Sequence, residues 1–355
     1  MAEFNRGGAR RGASGGSRRD ARAKAAAAHI EEMERRFGKE IEASVQSVQR
    51  IEGLPKGAKP SAAASEQVAA SEAAAAEGDA AEMGDAVAAP SDAGAAAAAQ
   101  DASTPTSVLT VTVVDQDAVA VILERGRGRA QFTDLAVLDF ASFTHPGGGY
   151  DRGSLAQEEA LCTESFLYNV LSRNKDWYGE NRRRNINCNL YRDRALVVPA
   201  VRFARDKTHA YADVIVAAAP NADRARSEYN VKPDALERAM RNRIRLVLAI
   251  ADQLGHDKLI LGAYGCGVFG WDPEAVAAMF RDELASGGHV AREVIFAIPR
   301  VRYNENLEVF EHAFSVFPEA PSASFAEAKA ARAATAAAAE AAQDEEDEDD
   351  WRKYL

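Results

Sequence analysis

The sequence predicts an α/β fold, a three-layer α/β/α sandwich built on a central, mixed but mostly parallel sheet. Three observations support this prediction. From residue 108 onward, short apolar runs alternate with amphipathic stretches, a pattern typical of parallel sheets covered by helices on both faces. Two of these runs lead directly into glycine-rich loops, where ligands bind in such sheets. An amphipathic segment over residues 24–53 predicts an additional N-terminal accessory helix.

The predicted elements follow from periodicity and from end signals. The accessory helix carries apolar residues at helical spacing, namely Ile30, Met33, Phe37, Ile41, Val45 and Val48. Strands are predicted at residues 108–114, 135–141, 196–201, 212–219, 258–263 and 294–298. Helices are predicted at residues 116–125, 155–171, 233–254, 273–284 and 306–314. Gly255 suits the end of one helix, and Asp272 with Pro273 suits the start of the next.

Composition divides the chain into five parts. We expect a disordered basic tail (1–23), the accessory helix (24–53), an Ala-rich linker (54–106), a catalytic domain (107–317) and an Ala-rich, acidic tail (318–355). The 355 residues include 43 basic and 54 acidic side chains, a net charge of −11. This acidic balance disfavours a general nucleic-acid binder.

The cysteine content and the lack of long apolar runs predict a cytoplasmic protein. The three cysteines, Cys162, Cys188 and Cys266, have neither disulfide-framework nor zinc-site spacing. The sequence shows no signal peptide and no apolar run of membrane-spanning length. We therefore expect no membrane partner and no bound metal.

A glycine triplet followed by paired glutamates is the most informative motif. Residues 147–149 are Gly-Gly-Gly, and after a seven-residue spacer come Gln157, Glu158 and Glu159. Glycines let backbone N–H groups approach a ligand, and such N–H groups bind phosphate. Ser154 and Gln157 have capping-box spacing, which predicts a helix start with both glutamates near its first turn. Early-helix glutamates that only complement the helix dipole are the simpler alternative.

A second glycine loop follows the predicted strand 258–263. It comprises Gly265, Cys266, Gly267, Val268, Phe269 and Gly270, and it leads into the helix that Asp272 opens. A glycine loop at a helix N-terminus is an anion site, so two such loops suit a diphosphate ligand. The same residues match the dinucleotide fingerprint G-x-G-x-x-G, which leaves an NAD-dependent oxidoreductase as an alternative. No acidic residue ends a following strand at the usual distance, which disfavours that alternative.

Together the two motifs resemble the signature of poly(ADP-ribose) glycohydrolases, the catalytic macrodomains, most closely the bacterial-type branch. The resemblance covers residues 108–316 and extends to the accessory helix. His145 and Asp139 stand where this branch commonly has Asn. The resemblance implies release of ADP-ribose, mainly from chain ends, and poly(ADP-ribose) or ADP-ribosylated proteins as partners. ADP-ribosylated nucleic acid is a further implied partner.

The resemblance also implies the roles of the site residues. Glu159 matches the catalytic acid/base, and Glu158 matches the neighbour that holds ribose hydroxyls. Gly147, Gly148 and Gly149 give backbone contacts to the substrate, and Gln157 shapes their loop. Gly265, Cys266, Gly267, Val268 and Phe269 wrap the diphosphate, with Phe269 against the ribose.

Helix geometry requires that a single carboxyl performs the chemistry. Adjacent helix residues point about 100° apart, so Glu158 and Glu159 cannot flank a sugar as paired glycosidase carboxylates do. Nothing in the sequence supplies a base to Cys266, so we expect a structural role for it. Two alternative functions remain open, a hydrolase of single ADP-ribose units and a non-catalytic ADP-ribose reader.

Several arginines form a candidate basic rim for a polyanionic polymer. Three of them are consecutive and two follow shortly after: Arg182, Arg183, Arg184, Arg192 and Arg194. A solvated face is the alternative interpretation.

Overall fold

A seven-stranded sheet forms the centre of the protein. The computed structural model describes residues 13–54 and 109–337. The strands are β1 (Gln49–Glu52), β2 (Thr110–Val114), β3 (Leu135–Phe140), β4 (Arg194–Arg205), β5 (Thr208–Ala217), β6 (Lys258–Leu261) and β7 (Glu293–Ala297). Their order across the sheet is β1-β4-β5-β3-β6-β7-β2. Within this sheet β4 runs antiparallel to both its neighbours, and the other pairs are parallel.

Helices cover both faces of the sheet. They are α1 (Ala13–Ser47), α2 (Ala118–Arg125), α3 (Gln157–Thr163), α4 (Leu167–Leu171), α5 (Lys175–Arg184), α6 (Ala222–Tyr229), α7 (Pro233–Leu254), α8 (Pro273–Ala285) and α9 (Asn306–Ala313). One apolar core lies between the sheet and α6 to α9, and the other lies between the sheet and α1 to α5. Alternation along β3 supplies both cores, with Leu138 facing the first and Val137 the second. The predicted three-layer sandwich is confirmed.

The accessory helix packs on the second core through the predicted stripe. Ile41 is fully buried, and the other five residues of the stripe contact the same core. The helix is kinked at Phe37, where the backbone leaves helical geometry. It begins at Ala13, before the predicted start at residue 24. The expectation of disorder is therefore wrong for residues 13–23. The physical reason lies in Arg19 and Arg22, which bond to backbone carbonyls of the domain.

Most predicted elements are present, and their differences have local causes. The predicted helix 155–171 is divided into α3 and α4, because Glu164 leaves helical geometry between them. The strands predicted at 196–201 and 212–219 form the long β4–β5 hairpin. Asp272 caps α8 by accepting the Glu274 N–H, and Gly255 ends α7 in the left-handed region, both as predicted.

Other sequence-based expectations fall wholly or partly outside the described residues. The Ala-rich linker lies outside them from residue 55 to residue 106, and so does the acidic end of the tail from residue 338. Within that tail, residues 325–337 are helical. None of the helices in residues 13–54 and 109–337 is long and apolar enough to cross a membrane.

Candidate active site

The two glycine loops lie side by side at one end of the sheet. The triplet loop (residues 144–153) follows β3, and the second loop (residues 265–270) follows β6. Because β3 and β6 are paired in parallel, both loops leave the same edge formed by the carboxyl ends of the strands. This is the place that the α/β fold favours for ligands.

The triplet loop brings the backbone against both glutamates. Gly147 and Gly148 have φ values of 63° and 62°, which favour glycine. A Cβ at Gly148 would lie 2.7 Å from Glu159 Oε1 and 2.8 Å from Glu158 Oε2. Any side chain at this position would therefore displace the carboxylates.

The N–H groups of this region orient the carboxylates. The Gly149 N–H donates to Glu159 Oε1 over 2.8 Å, and the Ser142 N–H donates to Glu158 Oε2 over 2.7 Å. The Gly148 N–H donates to the His145 carbonyl over 3.2 Å. The N–H groups of Gly148 and Gly149 are thus occupied by protein acceptors, and the Gly149 N–H holds a carboxylate where the glycine pattern predicts phosphate.

The capping box predicted from Ser154 and Gln157 is wrong. Helix α3 begins at Gln157, and its N-cap, Ala156, makes no side-chain bond. The Gln157 side chain instead accepts the Phe140 N–H over 2.8 Å and donates to the Leu138 carbonyl over 2.9 Å. Gln157 thereby attaches α3 to the end of β3. Both glutamates still fall in the first turn of α3, as predicted.

A third carboxyl, that of Asp139 on β3, lies beneath the glutamates. Asp139 is 0% exposed, while Glu158 and Glu159 are 3% and 6% exposed. Burial and then the nearby Glu159 charge raise the pKa of Asp139 well above its usual value. Burial and then the Asp139 charge raise the pKa of Glu158 in the same direction. Burial and like-charge repulsion therefore both favour the protonated forms of Asp139 and Glu158.

The second loop presents free backbone donors. Within the described residues, the N–H groups of Gly267, Val268 and Phe269 donate to no protein acceptor. Val268 is 86% exposed, so its backbone lies at the surface of the loop. Because α8 begins at Pro273, these donors also lie near a helix N-terminus. Free backbone donors beside a helix N-terminus are the groups that an anion site requires.

Trp271 packs against the second loop and holds its shape. Gly265 has a φ of 79°, and a Cβ there would lie 2.8 Å from the Trp271 ring. The Trp271 indole N–H donates to the Pro220 carbonyl over 2.7 Å. Burial raises the pKa of Cys266 to about 12, and its thiol contacts the Tyr264 carbonyl, which fits the expected structural role.

A cavity of about 560 Å³ lies beside the second loop and the start of α3. Gln157 and Phe140 line it at the β3 end, and Gly267 and Phe269 line it along the second loop. Its far end contains two asparagines from the segment after β7, Asn304 and Asn306. The volume suits a nucleotide-sized ligand.

Known proteins share this architecture. The model of the microbial-type PARG (poly(ADP-ribose) glycohydrolase) catalytic domain matches residues 61–206. A poly(ADP-ribose) glycohydrolase structure from Deinococcus radiodurans with ADP-ribose is 31% identical over 59% of this chain and 85% of that chain, with a TM-score of 0.50. The chain belongs to the microbial-type poly(ADP-ribose) glycohydrolase family.

Longer alignments to other members of the glycohydrolase family agree. The enzyme from Thermomonospora curvata, bound to the inhibitor ADP-HPD, is 25% identical over 83% of this chain and 100% of that chain, with a TM-score of 0.59. A second Deinococcus radiodurans structure with ADP-ribose is 25% identical over 79% of this chain and 98% of that chain, with a TM-score of 0.55. No curated protein matches the chain.

In this glycohydrolase the sequence analysis missed three groups of the site. It treated Asp139 only as a departure from a pattern, although an acid within an apolar strand is costly to bury without a function. It assigned no role to Ser142, whose N–H holds Glu158. It also passed over Tyr178, whose buried hydroxyl finds no partner among the described residues.

The five arginines that the sequence analysis names as a candidate basic rim do not form one rim in the structure. Arg182 bonds to the Thr144 carbonyl in the triplet loop. Arg194 is buried and pairs with Glu52 and Glu180. In residues 13–54 and 109–337, no group of three or more His, Cys, Asp or Glu side chains is arranged to hold a metal ion.

Proposed function

We propose that this chain is a poly(ADP-ribose) glycohydrolase that hydrolyses ribose–ribose bonds from chain ends, with Glu159 as its acid/base. The contact between Gly149 and Glu159 carries the proposal most directly. It fixes one oxygen of a nearly buried carboxyl in the first turn of α3, the helix whose Gln157 lines the nucleotide-sized cavity. Family membership supplies the substrate class.

The terminal ADP-ribose unit fills the cavity in this proposal. Its diphosphate accepts from the N–H groups of the second loop, and Phe269 packs against the ribose next to it. The distal ribose then lies over Gly148, whose missing side chain leaves room for it. Glu158, held by Ser142, accepts a hydrogen bond from a ribose hydroxyl.

The reaction is a hydrolysis through one carboxyl. Protonated Glu159 donates its proton to the ribose oxygen of the departing chain, while the bond from that oxygen to the anomeric carbon breaks. The bonding pair leaves with the oxygen, and the positive charge on the sugar is stabilised by the nearby diphosphate. Water then adds to the anomeric carbon and returns a proton to Glu159. The products are free ADP-ribose and a polymer shortened by one unit.

The carboxyl cluster favours protonation next to Glu159. Burial and mutual repulsion raise the pKa values of Asp139 and Glu158, the two carboxyls beside it.

We also propose that residues 107–317 are the catalytic domain and that the protein works in the cytoplasm. All three cysteines are free, which suits a reducing compartment.

The test is release of ADP-ribose from purified polymer by Glu159→Gln beside the wild type. We expect turnover to fall by about 10²–10⁴-fold, the usual contribution of a general acid. ADP-ribose binding, measured by calorimetry, should stay within a few-fold. Glu164→Gln, just after α3, is the matched control and should retain activity. Wild-type turnover that persists in Glu159→Gln would remove Glu159 from this role.

A further inference from the structure

The active site has a side that the terminal unit does not occupy. The cavity has the size of one unit, and Gln157, which lines it, lies two residues before Glu159 on α3. In the proposed function the bond to be cleaved lies at Glu159, so the remainder of the polymer extends past the triplet loop, whose residues are not part of the cavity lining. The first charged group it carries beyond its own ribose is another diphosphate.

Two arginine side chains, one from the triplet loop itself and one from α5, lie against backbone carbonyls of this loop. Arg152 donates to the Gly148 carbonyl over 3.0 Å, and its side chain is 53% exposed. Arg182 reaches the loop from α5 and donates to the Thr144 carbonyl, and it too is exposed. Each guanidinium has five N–H donors, so most remain available after one such bond. The nearest acid, Asp151, lies 3.9 Å from Arg152 and is itself half exposed.

His145 lies in the same loop and within reach of both positive charges. Burial, followed by repulsion from Arg152 and then Arg182, lowers the pKa of His145. The two arginine charges therefore converge on this exposed ring. Its Nδ1 lies 2.9 Å from the Thr144 hydroxyl, which leaves Nε2 toward solvent.

The accessory helix adds to the same positive region. The Arg19 and Arg22 Nε–H groups donate to the carbonyls of Arg152 and Gly153 over 2.9 and 2.8 Å. Both arginines are exposed. Four guanidinium groups from three separate elements thus gather around one loop, in a chain whose net charge is −11.

We propose that Arg152, Arg182 and His145 form a second subsite, which binds the diphosphate of the ADP-ribose unit next to the cleaved bond. The inference rests on the proposed function and extends it, because such a subsite makes oligomers better substrates than single units. Guanidinium groups bind phosphate oxygens in bidentate geometry. A neutral imidazole offers one further N–H donor.

The decisive variant is Arg182→Glu, compared on two substrates. One is poly(ADP-ribose), and the other is ADP-ribose carrying a neutral fluorogenic phenol on its distal ribose. We expect kcat/KM on the polymer to fall about tenfold or more, mainly through KM, with a weaker salt dependence than the wild type. Hydrolysis of the phenol substrate should stay within about twofold, since its leaving group carries no phosphate.

Two further variants separate charge from structure. Arg184→Glu makes the same charge change on the same helix, about 200° around its axis, and should leave both substrates unaffected. Arg182→Lys keeps the charge but loses the bidentate donors, so it should recover only part of the polymer activity that Arg182→Glu loses. Equal losses on both substrates in Arg182→Glu, or no loss on the polymer, would overturn the subsite.

A binding measurement keeps the subsite testable without turnover. In a Glu159→Gln background, the polymer should bind more tightly than ADP-ribose, and Arg182→Glu should abolish that difference. If Glu159→Gln alone bound the polymer and ADP-ribose with equal affinity, the proposal would also be overturned. A wild type that cleaves neither substrate but shows the binding difference would instead contradict the proposed function and leave the subsite standing.

Discussion

Gly148 is the residue at which the main chain approaches both glutamates most closely. Its positive φ and the two carboxylate oxygens leave no space for a Cβ. An added methyl group must displace Glu158, Glu159 or the loop itself, and a shift of about 1 Å at a reacting group can cost about 100-fold in rate.

We therefore expect Gly148→Ala to fold but to lose at least about 100-fold in kcat on the polymer. The measurement is ADP-ribose release, with circular dichroism to confirm folding. Gly128→Ala is the control, because a Cβ at Gly128 meets nothing within 4 Å. Activity of Gly148→Ala near the wild-type level would show that the carboxylates tolerate displacement.

The raised pKa of Asp139 predicts how the free energy of unfolding depends on pH. Its pKa is raised in the folded protein, whereas the unfolded chain releases this proton above about pH 4. The folded state therefore binds more protons, and its stability falls as pH rises from there toward the raised pKa.

Asp139→Asn, which introduces the residue common in the related pattern, should remove the share of this dependence that Asp139 contributes. We expect its Tm at pH 8 to exceed that of the wild type by several degrees, since about 1 kcal/mol corresponds to roughly 2–4 °C at this size. This difference in Tm should narrow toward pH 4.5. Thermal melts between pH 4.5 and 8 test the expectation, and the Tm of Asp115→Asn, a substitution at an exposed acid, should change with pH in parallel with that of the wild type. A difference in Tm between Asp139→Asn and the wild type that does not change with pH would show that Asp139 is ionised in the folded protein.

At the scale of single residues, the sequence placed Glu158 and Glu159 at the start of a helix but could not show their hydrogen bonds. The spacing from the glycine triplet to Glu158 and Glu159 was enough to place both in one turn of helix. The direction of each loop N–H, however, depends on successive positive φ values at Gly147 and Gly148. The three-dimensional path of the loop decides this, so the seat predicted for phosphate turned out to hold carboxylates.

Helix α1 is the element that supports the triplet loop from behind. The Tyr150 hydroxyl, one residue after the triplet, lies 2.7 Å from His29 Nδ1 on α1. Gly153 packs so closely on α1 that a Cβ there would overlap the Arg19 carbonyl. Because Gly149 holds Glu159 and precedes Tyr150, the docking of α1 bears on the position of the acid/base.

We expect the His29–Tyr150 bond to couple α1 to the domain by about 1 kcal/mol. In a double-mutant cycle of His29→Ala and Tyr150→Phe, the two losses in unfolding free energy should be non-additive by about that amount. Urea denaturation measures each loss. Glu32→Gln, which breaks an exposed pair with Arg36, should cost little and serves as the reference. Additive losses would mean that the bond is not formed in solution.

Elements with strong periodicity were predictable, and polar ones were not. The long amphipathic helix α7 has the predicted bounds, since Pro233 and Gly255 mark its ends. Helices α5 and α6 were missed because charged and amide side chains dominate them. β1 was missed because it has four residues, of which Ile51 alone is apolar. The antiparallel pairing of β4 could not be predicted either, since apolar strands look alike in either direction.

Arg243 connects parts of the whole molecule that are distant in sequence. It lies in the apolar stripe of α7 and is fully buried. Its guanidinium donates to the Asp193 carboxylate over 3.1 Å and to the Tyr191 and Arg192 carbonyls over 3.2 and 3.1 Å. It also binds the Ala218 carbonyl after β5.

We expect Arg243→Leu to lower the free energy of unfolding by about 3–5 kcal/mol, because the carbonyls lose a buried donor. This corresponds to a fall in Tm of roughly 10 °C. Calorimetric melts provide the measurement. Arg241→Leu, two residues earlier and tied to exposed partners, should cost less than about 1 kcal/mol. Equal effects of the two substitutions would refute the special role of the buried guanidinium.

The strand order also sets how far one stretch of chain must reach. β1 and β2 are consecutive among the described strands, yet they form opposite edges of the sheet. Six interstrand spacings of about 4.8 Å separate them, or about 29 Å. A straight extended path would need only about nine residues, at roughly 3.3 Å each, and residues 55–108 provide several times that length. Even with a detour around the domain, much of this Ala-rich stretch exceeds what chain continuity demands, and evolution or an engineer is free to shorten it.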